Sequence, residues 1–173
     1  MTHPSTPCLN RRRALVGGLI LLAAPAAVAG TVPCRAPRIL FVCPAGTVKS
    51  AIARETLKRR AAQLGVPVFV TSRGLHPEDH VSPALATNLE ADGIDPRSEP
   101  LRALAASDLA AADIVIAFDE AAQAPALKGA RIWDIPSWNS DYAGAKGALA
   151  GQIDGLLSEL RRRPCPADPK PAG

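Results

Sequence analysis

The sequence predicts an α/β protein with a doubly wound, four-stranded parallel sheet and helices on both faces. Four short apolar runs, each typical of a buried strand, alternate with segments whose apolar residues recur at helical spacing. Strands that are separated by helices pair in parallel through crossover connections, and these connections cover both faces of one sheet. The length agrees, because 173 residues that are 47% hydrophobic suffice for a leader and one ordinary core.

The first 29 residues have the composition of an export signal. Three arginines at 11–13 precede an apolar run at 14–24, and Ala-Val-Ala at 27–29 then offers small residues for cleavage. The run is too short to span a bilayer, so we expect cleavage without stable membrane insertion, and a periplasmic or secreted protein. The paired arginines resemble a twin-arginine signal, with Sec export as the alternative. The expected domains are a signal peptide at 1–29, a lead-in at 30–37, the α/β domain at 38–163 and a disordered, proline-rich tail at 164–173.

The charge of the chain argues against a nucleic-acid partner. The formal net charge is +4, but three of the arginines lie in the leader, which contains no acidic residue. The mature chain is therefore nearly neutral. Only three Phe, two Trp and one Tyr are available to stack on bases, so we exclude nucleic acid.

The first half of the domain predicts two strands and two helices. The strand at 39–42 reads Ile-Leu-Phe-Val, and an uninterrupted apolar run is typical of a strand buried on both faces. A helix at 50–64 follows, with apolar residues on one side and a glycine as its stop. The second strand is expected at 66–71. Ser82 then caps a helix that begins at Pro83 and ends near residue 93.

The second half repeats the alternation. A buried strand at 113–118, Asp-Ile-Val-Ile-Ala-Phe, follows a helical pattern, and the final helix directs Ile153, Leu156, Leu157 and Leu160 inward. The expected elements are a helix at 101–112, the strand at 113–118, a short helix from 120, a strand at 131–135, a loop at 136–144 and a last helix ending near 163.

The segment after the first strand is suited to binding an oxyanion. It reads Cys43-Pro44-Ala45-Gly46-Thr47-Val48-Lys49-Ser50. Such sheets bind ligands beyond the carboxyl ends of their strands. A loop of this length can turn its backbone N–H groups around an anion at a helix N-terminus, where a thiolate would be a nucleophile in position. The alternative is that Cys43 is a small core residue that ends a strand.

This segment resembles the Cys-x5-Arg-Ser loop of low-molecular-weight phosphotyrosine phosphatases and of the arsenate reductases related to them. The resemblance extends over about 38–163 through Thr-Ser-Arg-Gly at 71–74, Ala-Asp-Gly-Ile-Asp at 91–95, Asp-Leu at 108–109, Ala-Asp-Ile-Val at 112–115 and Ile-Trp-Asp-Ile-Pro at 132–136. It implies attack by Cys43 on phosphorus, a cysteinyl-phosphate intermediate, and hydrolysis by water. Ser50 would hydrogen-bond to the thiolate, and Gly46 would adopt a left-handed conformation. The implied substrate is a phosphorylated protein or a small aryl phosphate, with no cofactor and no metal, and we expect a monomer.

Two departures from the family pattern bear on activity. Lys49 replaces the arginine and lacks the planar fork that holds two phosphate oxygens. Strict alignment places the family's acidic residue on Ser137, so the general acid is either absent or shifted. A shifted alignment offers Asp141, which we predict as the acid, with Asp134 as a more distant choice.

These departures leave three functions open. The first is a phosphatase with weakened activity. The second is a protein that binds phosphate, arsenate or a phosphopeptide through the same loop without turnover. The third is a phosphocarrier, because Cys-Pro-Ala-Gly-x-x-x-Ser also resembles the loop of sugar-transport subunits that carry phosphate on cysteine, although those are shorter and cytosolic.

The remaining cysteines and histidines support separate predictions. Cys34 precedes the first strand and Cys165 follows the last helix, so both are expected at the sheet edge opposite the loop, where an oxidising compartment would join them in a disulfide. Two unpaired thiols are the alternative. His76 and His80 lie in a polar loop and are expected to be solvated rather than to bind a metal.

Overall fold

The computed structural model describes residues 35–163, which form the α/β architecture that the sequence predicts. The four strands form one sheet in the order β2-β1-β3-β4, and every neighbouring pair is parallel. The strands are β1 (Arg38–Cys43), β2 (Phe69–Gly74), β3 (Ile114–Ala117) and β4 (Arg131–Ile132). The helices are α1 (Lys49–Gln63), α2 (Pro83–Ala91), α3 (Ala106–Ala111) and α4 (Tyr142–Arg162), with short 3₁₀ helices at Asp119–Gln123 and Pro125–Leu127. The predicted signal peptide, the predicted tail and both residues of the predicted disulfide lie outside the described residues.

The side chains of β1 alternate between two cores, one on each face of the sheet. Ile39, Phe41 and Cys43 belong to the larger core, which α1, α2 and α4 cover. Leu40 and Val42 belong to the smaller core, beneath α3 and the 3₁₀ helices. All five residues are at most 4% exposed, so β1 is buried on both faces, as its uninterrupted apolar run predicts.

The third helix is shorter than predicted. Apolar spacing predicts a helix at 101–112, whereas α3 begins at Ala106. The preceding segment is extended because it pairs with the end of β2: the Gly74 N–H donates to the Arg102 carbonyl at 3.0 Å, and the Leu104 N–H donates to the Gly74 carbonyl at 2.9 Å. Tertiary pairing therefore overrides local helical spacing here.

The second and fourth strands also differ from their predicted bounds. The second was expected at 66–71, but pairing with β1 in the register Arg38↔Phe69 to Cys43↔Gly74 moves it to Phe69–Gly74. The fourth was expected at 131–135, but only Arg131–Ile132 pair with β3 as a strand. The chain then leaves the edge of the sheet, and this departure brings the Ile135 carbonyl to the side chain of Lys49 at 2.6 Å.

The final helix is held at both ends by charged side chains. Asp141 caps its N-terminus by accepting a hydrogen bond from the Gly144 N–H at 2.8 Å. Near its C-terminus Glu159 accepts hydrogen bonds from Arg131 on the edge strand. Within residues 35–163, no helix has both the length and the apolar content needed to cross a membrane.

Candidate active site

The loop that follows β1 turns its first carbonyl groups outward. The N–H groups of Leu75, His76 and Glu78 donate to the carbonyls of Cys43, Pro44 and Ala45 at 3.2, 2.9 and 3.0 Å. In a planar trans peptide the N–H of the next residue points away from the carbonyl. Pro44 has no N–H, but the N–H groups of Ala45 and Gly46, which follow the carbonyls of Pro44 and Ala45, therefore face the inside of the loop. This is the orientation that anion binding needs.

Thr47 holds the same loop from its middle. Its hydroxyl donates to the Glu78 carbonyl at 2.7 Å and accepts from the His80 N–H at 3.1 Å, and the residue is 5% exposed. These two bonds join the loop after β1 to the segment after β2. The shape of the loop is thus fixed by neighbouring backbone within the described residues.

The Cys43 sulfur lies at the floor of the loop with two hydrogen-bonding neighbours. The Gly46 N–H donates to Sγ at 3.1 Å, and the Ser50 hydroxyl also lies 3.1 Å from Sγ. Cys43 is 4% exposed and Ser50 is fully buried. Both donors would stabilise negative charge on sulfur, and Ser50 lies where the family resemblance implies a contact with the thiolate.

Gly46 occupies a position that only glycine fits. Its φ of 81° is left-handed, and a Cβ on it would lie 2.8 Å from the Gly74 nitrogen and 2.8 Å from a methyl group of Leu101. A side chain would therefore be strained by its backbone and would also clash with β2. This conformation, which the resemblance implies, directs the Gly46 N–H at the sulfur.

The N-terminus of α1 opens into the loop without a cap. Val48 stands at the N-cap position and makes no side-chain capping bond. Among residues 35–163, no hydrogen-bond acceptor serves the backbone N–H groups of Thr47, Val48, Lys49 or Ser50. Free amides at the start of a 15-residue helix are suited to binding an anion.

Lys49 is bound by two groups of the protein. Its Nζ donates to Oδ1 of Asp119 at 2.5 Å and to the carbonyl of Ile135 at 2.6 Å, and its side chain is 14% exposed. An ammonium group has three donors, so one remains for a ligand oxygen. The Lys49 ammonium, which the sequence predicts to bind phosphate, is therefore already paired with the Asp119 carboxylate.

Asp119 is the residue of this site that sequence reasoning missed. It follows Phe118, whose N–H donates to the Val42 carbonyl at 2.9 Å, so β3 places it beside the end of β1. Its φ of 53° is left-handed, a conformation that aspartate tolerates better than most residues. The signal was present, because Asp119 directly follows the buried run at 113–118, and parallel strands bring their carboxyl ends to one edge of a sheet.

The two predicted acids lie apart from the described contacts of this loop. Asp141 is exposed and caps α4, and Asp134 is exposed on the segment after β4. No hydrogen bond or ion pair within residues 35–163 joins either carboxylate to the segment 43–50. The catalytic role of Asp141 stays a prediction.

An aromatic pair in the segment after β4 packs inward. Trp138 is 3% exposed, and its ring centroid lies 5.4 Å from that of Tyr142 in an edge-to-face arrangement. The Tyr142 hydroxyl donates to Asp92 at 2.5 Å, and burial together with that carboxylate raises the pKa of Tyr142 above its ordinary value. The pair therefore joins the end of α2, the segment between β4 and α4, and the start of α4.

The histidines lie on the exposed rim of the loop. His80 Nε2 is 3.1 Å from a Glu78 carboxylate oxygen, and His76 is exposed nearby. The described part of the chain contains no group of three or more His, Cys, Asp or Glu side chains arranged to hold a metal ion.

Behind the loop, a buried arginine joins α1 to its surroundings. Arg54 is 2% exposed and donates to the Ser72 hydroxyl at 2.8 Å, to the Pro96 carbonyl at 3.1 Å and to Glu55 at 2.6 Å. Its charge is thus matched within the protein. Burial alone would raise the pKa of Glu55, but hydrogen bonds from Arg54 and Ser98, together with the charges of Arg54 and Lys58, outweigh burial and lower it.

A buried cysteine that ends a parallel strand, followed by inward amides and an uncapped helix, defines a candidate cysteine-based oxyanion site on an α/β sheet. Comparison with family models identifies the class further. The model described as low molecular weight phosphotyrosine protein phosphatase matches residues 38–149, well over half of the chain, and the chain belongs to that family. No curated protein matches the chain in sequence.

Solved structures of phosphatases and arsenate reductases share this fold. A low molecular weight protein tyrosine phosphatase from T. tengcongensis has 24% identity and a TM-score of 0.58, and the match covers 72% of this chain and 99% of that one. An arginine phosphatase from Geobacillus stearothermophilus has 24% identity and a TM-score of 0.57, covering 72% and 93%. An arsenate reductase in the phosphate binding state has 20% identity and a TM-score of 0.56, covering 72% and 98%. At these identities the likeness establishes the fold alone.

Proposed function

We propose that this protein hydrolyses phosphate monoesters, on a phosphorylated protein or a small aryl phosphate, through a cysteinyl-phosphate intermediate on Cys43. The observation that carries this proposal is the position of the sulfur: Sγ lies 3.1 Å from both the Gly46 amide and the Ser50 hydroxyl, at the floor of a loop whose carbonyls face outward. Membership of the phosphatase family supports the same reaction class.

Each part of the loop has a separate task in this reaction. The free amides of residues 47–50 would bind the equatorial oxygens of the phosphoryl group, and the remaining Lys49 donor would add one further hydrogen bond. The Cys43 thiolate would attack phosphorus in line with the leaving oxygen, and water would then cleave the S–P bond. The sequence-predicted source of the leaving-group proton is Asp141, which in this structure caps α4.

Turnover of p-nitrophenyl phosphate by wild type and by Cys43→Ser tests this proposal. We expect release of p-nitrophenol by wild type between about pH 5 and 7, and none above background by the variant, because serine lacks a thiolate. Equal release by both proteins would contradict a cysteine nucleophile.

A second candidate is binding of phosphate or arsenate without turnover. The observation that favours it is the commitment of two Lys49 donors to Asp119 and Ile135, which leaves the transition state one hydrogen bond where a free arginine fork would supply two. Calorimetric binding of phosphate by wild type, without Cys43-dependent release of p-nitrophenol, would favour this function.

We also propose that the protein acts outside the cytoplasm. Support comes from the basic, apolar and small-residue order of its first 29 residues. The test is the N-terminal sequence of protein recovered from the periplasmic fraction and the medium of an expressing bacterium. We expect it to begin near residue 30, and an intact leader on cytoplasmic protein would contradict export.

A further inference from the structure

We propose that the Lys49–Asp119 pair restricts the Cys43 loop to singly charged, protonated oxyanions, so that an ester substrate brings the proton for its own leaving group. This inference rests on the proposed function and identifies the ionic form of the substrate. It starts from one geometric fact: the cationic side chain of the loop is held 2.5 Å from a carboxylate.

Within residues 35–163, the buried cations beside the loop are already paired with carboxylates, Lys49 with Asp119 and Arg54 with Glu55, so neither is free for a second negative charge. Cys43 faces the site from β1, Lys49 from α1 and Asp119 from the turn after β3, so the side chains of one cation and one anion cancel. Arg73 on β2 adds no free charge, because its guanidinium donates to Asp108 at 2.7 Å. The other charged or titratable neighbours lie on the flanking segments and are exposed: His76, Glu78, His80, Arg102, Glu120, Asp134, and Asp79 with Arg97, which pair with each other at 2.7 Å.

The amides and the single remaining Lys49 donor can satisfy one negative charge, since they act as fixed dipoles at the N-terminus of α1. A second charge on the ligand would face Asp119 and the Cys43 sulfur without a further cation. Because the Asp119 carboxylate lies 2.5 Å from the Lys49 ammonium, its repulsion of a second negative charge on the ligand offsets the attraction of that charge by Lys49. The loop therefore favours the ligand with one charge over the same ligand with two.

A singly charged ester also accounts for the serine that this chain has at the position of the family's general acid. Strict alignment with the family places the acid on Ser137, and within residues 35–163 Asp119 is the carboxylate that bonds to a side chain of the loop. A monoester monoanion carries a proton on a phosphoryl oxygen. When the Cys43 thiolate forms the S–P bond and the P–O ester bond breaks, that proton passes to the leaving oxygen and yields a neutral alcohol. The cysteinyl phosphate that remains has two negative charges, one from the thiolate and one from the substrate.

Binding measurements on inorganic phosphate and sulfate separate the charge of the ligand from that of the protein. Phosphate changes between one and two negative charges when its affinity is measured at about pH 5.5 and about pH 8, on either side of its second ionisation. Sulfate keeps two charges at both values, so any change in its affinity reports titration of the protein. We expect wild type to bind phosphate about tenfold more weakly at the higher pH after this correction.

Asp119→Asn is the informative variant. Asparagine keeps the size of the side chain and tolerates the left-handed backbone, so only the charge is removed. We expect this variant to bind sulfate about tenfold more tightly than wild type and to lose most of the preference for singly charged phosphate. Glu120→Gln is the matched control, because it removes the same charge from the next residue, which is exposed and forms no ion pair in the described part of the chain. The control is expected to bind sulfate within about twofold of wild type.

The outcomes separate this inference from the proposed function. If folded Asp119→Asn binds sulfate no more tightly than wild type, the inference is overturned while Cys43-dependent turnover can still stand. If wild type binds neither anion at either pH, both fail. A kinetic comparison distinguishes a further role for Asp119: loss of kcat in Asp119→Asn that grows with the basicity of the leaving group would identify Asp119 as the proton donor and overturn the substrate-borne proton.

Discussion

The Ser50 hydroxyl lies 3.1 Å from the Cys43 sulfur, seven residues further along the chain and on the first turn of α1. Because Ser50 is fully buried, this hydrogen bond is shielded from water. The sulfur is therefore held by the helix that follows it as well as by the strand that carries it.

Removing that hydroxyl should slow the chemistry of the thiol. We expect Ser50→Ala to lower the rate of Cys43 alkylation by iodoacetamide, and the rate of p-nitrophenyl phosphate hydrolysis, by about fivefold, the equivalent of about 1 kcal/mol for one hydrogen bond. Thr56→Val is the control, since it removes a hydroxyl of the same helix that lies further along the chain than Ser50 and bonds to the Ile52 carbonyl instead of to Cys43. Equal rates for Ser50→Ala and wild type would show that Ser50 does not act on the sulfur.

Arginine at position 49 should strengthen the binding of the phosphoryl group by the loop. A guanidinium has five donors, so Lys49→Arg can keep its bonds to Asp119 and Ile135 and still present two N–H groups to the phosphoryl oxygens. We expect kcat/KM for p-nitrophenyl phosphate to rise about tenfold. Lys58→Arg, on the same helix and paired with Glu99, should leave it unchanged. A fall in kcat/KM for Lys49→Arg would contradict this account of the lysine.

Gly46 and Gly129 separate backbone strain from steric clash. Both have positive φ, 81° and 90°, but a Cβ at Gly46 meets the Gly74 backbone at 2.8 Å, whereas one at Gly129 meets nothing within 4 Å. We expect Gly129→Ala to lower the free energy of unfolding by about 1 kcal/mol and Gly46→Ala to lower it by at least about 2 kcal/mol more. Urea denaturation measures both, and equal losses would rule out the clash.

The pair between β4 and α4 should make stability sensitive to acid. Hydrogen bonds from Arg131, at 2.5 and 2.8 Å, and from Arg163 lower the pKa of Glu159 to about 2, from 4.5 for the free side chain. Because the folded pKa is the lower one, this contribution is complete above about pH 4.5 and is lost as the pH falls towards 2.

Glu159→Gln should therefore flatten the fall in the free energy of unfolding between about pH 4.5 and 2. Glu90→Gln is the control, since Glu90 is exposed and forms no ion pair among residues 35–163. If both variants lose stability with the same slope as wild type, the Glu159 pair does not contribute.

The predicted disulfide is testable by peptide mapping. Cys34 and Cys165 lie outside the described residues, and the prediction comes from their places before β1 and after α4. We expect non-reducing digestion of exported protein to yield one peptide pair joined through Cys34 and Cys165, with Cys43 alkylated as a free thiol. Alkylation of all three cysteines would show that the pair is not formed.

The parts of the site that the sequence predicts are those that lie close together along the chain. Cys43, Gly46 and Ser50 belong to one strand, loop and helix, so local pattern places them correctly relative to each other. The bonds from Lys49 to Asp119 and Ile135 cross 70 and 86 positions and depend on the order β1-β3-β4, which no local pattern reveals. The predicted helix at 101–112 lost its first turns for the same reason, because pairing with Gly74 holds residues 102–104 extended.

The central claim is that the Cys43 sulfur becomes covalently phosphorylated within its loop. The most direct test is acid quenching of wild type during turnover of p-nitrophenyl phosphate, followed by mass spectrometry of the intact protein and its peptides. The account predicts a phosphoryl group on Cys43 that appears with substrate and disappears as substrate is exhausted. Steady release of p-nitrophenol with no phosphoryl group on Cys43, or with one on another residue, would contradict it.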